Sequence, residues 1–184
     1  MGSLFAMYQE VLSFWFIETA PPMWWTTDSA FDETIARRFG AVHAAAVVGE
    51  LAEWRQVPKG RLAEVIVLDQ FSRNIFRGAA RAFASDPVAL VLAQEALSGA
   101  HDRGLTDQER SFLYMPFMHS ESRVIHVQAE RLFASLNLPE SQESERRHKA
   151  IIDRFGRYPH RNTILGRVST PEEITFLEQP GSKF

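Results

Sequence analysis

Apolar residues along this chain recur mainly at helical spacing. Phe31, Ile35, Phe39, Val42 and Ala46 step by four, four, three and four, which lays one stripe along a helix. Gly49 is a plausible stop for it. Asp86-Pro87 reads as an N-cap before a first-turn proline, with Leu90, Val91, Ala93 and Leu97 behind it. Thr106 with Glu109, and Thr170 with Glu173 after Pro171, have the spacing of capping boxes. No stretch alternates cleanly and no Asn-Gly or Asp-Gly turn occurs, so strands are not expected. The pattern predicts an all-α fold of about eight helices in one domain over residues 1–184. Breaks are expected at Ala20-Pro21-Pro22 and Val57-Pro58-Lys59-Gly60. The polar stretch Leu138 to Ser144 reads as the flexible loop.

The helix starting near Arg61 is apolar nearly all round, as a central helix is. Leu62, Val65 and Ile66 mark one face, and Val67, Leu68, Phe71 and Ile75 the other. Yet Asp69, Gln70 and Arg73 continue the first face, and Asp69 and Arg73, one turn apart, are spaced to pair. A buried unpaired charge costs several kcal/mol, about 3–5 when one partner of a pair is removed, so these groups need partners. Asn74 reads as a cap for the end of this helix, or as a neighbour of Arg73 in a cleft.

Two further strings carry polar chemistry. In PFMHSE, Pro116 should end or kink a helix, Ser120 should cap the next one, and Glu121 suits its first turn. His119 sits at the bend, unexplained by capping. In HKAIIDRFGRYPHRN, His148 shares a face with Ile151, Ile152 and Phe155 and reads as a core residue. Gly156 can close the helix in the left-handed conformation, and the residue before Pro159 is pushed out of it. Arg157, His160, Arg161 and Asn162 then fall in one turn, and Arg and Asn suit a carboxylate or phosphate.

Composition sets limits. Hydrophobic residues at 45% and charged residues at 23% exclude a disordered chain. The absence of Cys excludes disulfides and thiolate chemistry and fits the cytoplasm. No apolar run reaches a spanning length, so no membrane association is expected; Leu4 through Phe16 reads as a core helix. Net charge is −3, but Arg146 to Arg167 holds seven basic residues against one acid, Asp153. That run is either a solvated face balancing acidic neighbours or a local anion site. Nucleic acid is the weaker partner for it. No dinucleotide, P-loop, zinc-protease or nucleophile-elbow motif occurs, and no cofactor or metal is implied.

The strings VLSFWF, FDETIARRFG, LDQFSRN, DPVALVLA, FLYMPFMHSE, FGRYPHRN, ILGR, TPEE and the final Phe184 follow one another in order. Together they resemble the bacterial proteins grouped as domain of unknown function family 924. The resemblance implies an all-helical fold similar to tetratricopeptide-like arrays and implies no activity. It also leads one to expect Pro where Ser72 stands and Trp-Phe where Trp24-Trp25 stand.

Two readings remain. One is a pocket for a small anionic ligand formed by Arg73, Asn74, His119, Arg157, His160, Arg161 and Asn162. Asp69, Gln70 and Glu121 would support it, and His119 or His160 would transfer protons near neutral pH if a reaction occurs there. The other is a helical protein-interaction module in which the same residues form a buried structural network.

Overall fold

The computed structural model describes residues 7–182; Leu4 and Phe184, invoked above, lie outside them. The helices are α1 (Met7–Ser13), α2 (Ser29–Val47), α3 (Pro58–Ile66), α4 (Asp86–Ser98), α5 (Asp107–Met118), α6 (Arg123–Ala134), α7 (Pro139–Phe155) and α8 (Pro171–Leu177). α3 runs on through a π turn, Val67–Phe71, into a last turn, Ser72–Ile75. No strand occurs among the described residues. The fold is all-α.

α3 is the centre of the packing. It contacts α1, α4 and α5, and its last turns lie against α2. Every residue from Leu62 to Ser72 is buried, which is why its polar members must be satisfied internally. The main core is aromatic. Trp15 lies 5.6 Å from both Phe71 and Phe112, and Phe39 sits 5.0 Å from Phe71. α5, α6 and α7 pack in succession beyond it. A smaller core of Ile151, Ile152 and Tyr158, with Phe155 and Phe176, joins α7, the following turn and α8.

Several helix ends differ from the sequence reading. Leu138 to Ser144 is not a flexible loop: α7 starts at Pro139 and covers it. A first-turn proline and an early Glu140 start the helix, and its polarity reflects an exposed outer face. Ser120 does not cap α6, which begins three residues later with Ser122 at the cap position. Pro116 does not end α5; two more residues follow it, since only one backbone donor is lost so near the end. Ser85, not Asp86, occupies the cap position of α4. Both capping boxes form as written. Gly156 takes the left-handed conformation at φ 72°. Ser72 is buried, donating to the Leu68 carbonyl and meeting His43 Nε2 at 2.7 Å.

Candidate functional site

The site begins at the π turn of α3. A π turn inserts one residue and re-aims the side chains around it, and such turns cluster at functional sites. Here it carries Asp69, which is 0% exposed. Asp69 Oδ1 accepts from His119 Nδ1 at 2.7 Å and lies 3.2 Å from Arg73 Nη1; Gln70 Nε2 donates to Oδ2 at 2.6 Å. Burial favours the neutral acid, but Arg73 and His119 outweigh it and hold the carboxyl well below the usual range.

Arg73 faces a second carboxylate. It donates to both oxygens of Asp86, at 2.9 and 3.0 Å, in the bidentate geometry that suits a guanidinium. Asp86 also receives Arg161 Nη1 at 3.2 Å, while Arg161 Nη2 donates to the carbonyl of His119 at 3.1 Å. Phe83 lies 4.6 Å and Tyr158 4.7 Å from the Arg161 guanidinium, so aromatic rings flank it.

The bend between α5 and α6 is pinned at three successive carbonyls. Tyr158 Oη donates to Met118, Arg161 to His119, and His126 Nε2 lies 2.9 Å from the oxygen of Ser120. These are the unsatisfied carbonyls of a helix end. His126 Nδ1 in turn meets Glu145 Oε1 at 2.8 Å, and both side chains are buried.

Above this floor lies a cleft of about 380 Å³. Asp86, His119, Glu121 and Arg161 supply its polar side, and Phe83, Pro87, Leu90, Pro116 and Leu165 its apolar wall. The bases that line the cleft and the buried imidazoles near them share one electrostatic signature. Burial, then the charge of Arg73, lowers the pKa of both His119 and Arg161. Burial, then Arg161, brings His160 to about 4; burial, then His119, brings His148 to about 3. These imidazoles are neutral at pH 7, so neither His119 nor His160 is an imidazolium that could give up a proton there. A crevice of about 400 Å³ at the start of α7 is lined by Pro139, Glu140, Glu143, Ser144 and Arg147. It has no comparable polar floor, and its Glu143 is already bound by Arg146 and Arg147.

A family model described as "Bacterial protein of unknown function (DUF924)" matches residues 11–181. The chain belongs to this family. A solved structure of a protein of unknown function, ATU0120 from Agrobacterium tumefaciens, is similar at 39% identity and a TM-score of 0.90. The match covers 94% of this chain and 97% of that one. No curated protein matches.

In this DUF924 chain the expected site residues divide into two groups. Arg73, His119 and Arg161 converge at Asp86 and Asp69, with His160 beside Tyr158 at a ring distance of 5.6 Å. Asn74 does not join them and does not cap its helix: Nδ2 donates to Asp32 on α2, which Arg77 also binds. Arg157 and Asn162 turn the other way, both to Glu173 of α8. Glu121 does not sit in a first turn; it binds Arg167 through both oxygens and accepts from the Tyr158 backbone. Gln70 supports Asp69, as its position suggested.

The sequence reading missed Asp86, Tyr158 and the His126–Glu145 pair. Asp86 had a sufficient explanation as a cap, which hid it. Glu145 lies three residues before His148 on the buried face of α7, a spacing from that core histidine that could have exposed it.

The basic run also resolves. Each of its seven cations has a carboxylate within 3.2 Å: Arg146 and Arg147 have Glu143, Lys149 has Asp153, Arg154 has Glu172, Arg157 has Glu173, Arg161 has Asp86 and Arg167 has Glu121. No helix among the described residues is long and apolar enough to cross a membrane.

Proposed function

We propose that this protein binds a small organic anion in the cleft, a monocarboxylate with an apolar body. The observation that carries this reading is the contrast between Arg161 and the other arginines around it. Arg73, Arg157 and Arg167 each grip both oxygens of a carboxylate. Arg161 has a single bond to Asp86, whose oxygens Arg73 already holds. A guanidinium has five N–H donors. Among the described residues Arg161 uses two of them, its Nε is buried without a partner there, and it lines the cleft. Burial and Arg73 disfavour its charge, and an anion beside it relieves that.

Charge balance selects one negative charge over several. Asp69 and Asp86 already offset Arg73 and Arg161, and Glu121 offsets Arg167. A phosphate dianion would meet Asp86 and Glu121 at the same mouth. A carboxylate brings one charge and can lay its body along Phe83, Leu90, Pro116 and Leu165.

A thermal-shift series of aliphatic and aromatic monocarboxylates against inorganic phosphate tests this. A carboxylate at a hundredfold excess over its Kd adds about 2.7 kcal/mol of apparent stability. Arg161→Met abolishes the shift and keeps the fold, because Asp86 retains Arg73. A shift that survives this substitution counts against the reading.

The interaction-module reading has its own support. Asn74–Asp32, Arg157–Glu173–Asn162 and Arg167–Glu121 are complete within the protein and tie elements together. The succession of α5, α6 and α7 also fits tetratricopeptide-like stacking. We assign these pairs to the scaffold and the ligand to Arg161.

A further inference from the structure

The cleft offers an acceptor as well as a donor, and the hydrogen bonds around His119 fix which nitrogen is which. Asp69 is ionised at neutral pH, so its oxygens only accept. His119 Nδ1, 2.7 Å from Oδ1, must therefore carry the hydrogen. A neutral imidazole with hydrogen on Nδ1 has a lone pair on Nε2. Among the described residues Nε2 has no hydrogen-bond partner, and His119 lines the cleft with a side chain 14% exposed. Arg161 adjoins it, because its Nη2 donates to the carbonyl of the same residue.

A ligand that only accepts would satisfy Arg161 and leave Nε2 dry and unpaired. A ligand that also donates would satisfy both, and an unmade buried bond is what gives polar discrimination its size. We infer that the ligand is a hydroxy monocarboxylic acid, its carboxylate on Arg161, its hydroxyl donating to His119 Nε2 and its apolar body against Phe83, Leu90, Pro116 and Leu165. This rests on the carboxylate reading above and narrows it.

An amino acid offers a donor too, but as an ammonium. That charge would enter beside Arg73 and Arg161, where the nearby carboxylates are already engaged: Asp86 by both arginines, Glu121 by Arg167 through both oxygens. A neutral hydroxyl meets no such opposition. Asp69 acts here as a positioning residue, since it touches the imidazole and not the cleft.

Isothermal titration with matched acids tests the inference: 4-methylpentanoate against 2-hydroxy-4-methylpentanoate and leucine, and phenylacetate against mandelate. One added buried hydrogen bond is worth on the order of a tenfold change in Kd, so each hydroxy acid should bind roughly that much tighter than its parent, and leucine weaker than either. In His119→Phe the preference disappears while the parent acids still bind. Nitrogen-15 NMR of the wild type reads the tautomer directly, whether or not that variant folds: hydrogen on Nδ1 is expected, and hydrogen on Nε2 overturns the inference. Equal affinity within the pairs overturns it while leaving the carboxylate reading intact. No binding by any acid removes both.

Discussion

Arg73 and Arg161 share one carboxylate, yet replacing them should have different outcomes. Arg73→Met leaves Asp69 and Asp86 without their main cation. Stability should fall by about 3–5 kcal/mol, the usual cost of breaking a buried pair, as read by urea denaturation. Arg161→Met leaves Asp86 with Arg73, so its stability loss should be well below that of Arg73→Met, while its thermal response to carboxylates disappears. At this scale the sequence was half legible. LDQFSRN announced buried charge because its neighbours are apolar on all sides, and the i, i+4 spacing named Arg73 as a partner for Asp69. Nothing local could announce Asp86, which lies 13 residues beyond Arg73 and pairs with it across elements. Asn74 failed for the same reason: its choice of Asp32 across 42 residues is a product of packing.

Helices were legible where a cap or an apolar stripe marked them and illegible where a polar face outweighed it. The first turns of α7 are the clearest case: its later half was legible from His148, Ile151, Ile152 and Phe155, but the only buried position near its start, Glu145, is itself polar. The π turn in α3 left no mark in the sequence, because its residues suit an ordinary helix equally well. Glycines give a test at this scale. A Cβ on Gly60 would lie 2.0 Å from the backbone oxygen of Trp54, which cannot swing aside as a side chain can. Gly60→Ala should therefore cost about 1–3 kcal/mol or more by overpacking. Gly40, inside α2, has nothing within 4 Å of that position. Gly40→Ala should raise stability by about 0.5–1 kcal/mol by relieving the entropy cost of a helical glycine. Chemical denaturation of the pair, measured side by side, separates the close approach from a general glycine effect.

Across the whole molecule, several buried imidazoles set the response to acid. His148 and His160 have folded pKa values of about 3 and about 4, below the unfolded value near 6.5. His43 and His119 shift in the same direction. The unfolded chain thus binds more protons below pH 6.5, and stability should decline as pH falls from 6.5 toward about 3. Glu145, raised by burial, opposes this in part, since its contribution is lost as pH rises through its folded pKa. Urea midpoints at pH 7.5, 6 and 5 should fall in that order, and His148→Gln should flatten the decline. The family resemblance made the fold legible at this scale, but not the way the molecule divides. Its main core is built around Trp15, Phe71 and Phe112, whereas the turn that carries Arg161 follows Tyr158 of the small cluster with Ile151 and Ile152, and the Arg161 side chain reaches across to Asp86 of α4. The cleft therefore straddles a seam between a large apolar mass and a small one. Small masses open more often, so backbone amides from Tyr158 to Glu173 should exchange with solvent through local openings well below the global unfolding free energy. An acid bridging Arg161 to the wall of α4 would act as a staple across that seam, and its occupancy would be written in the slowing of those amides.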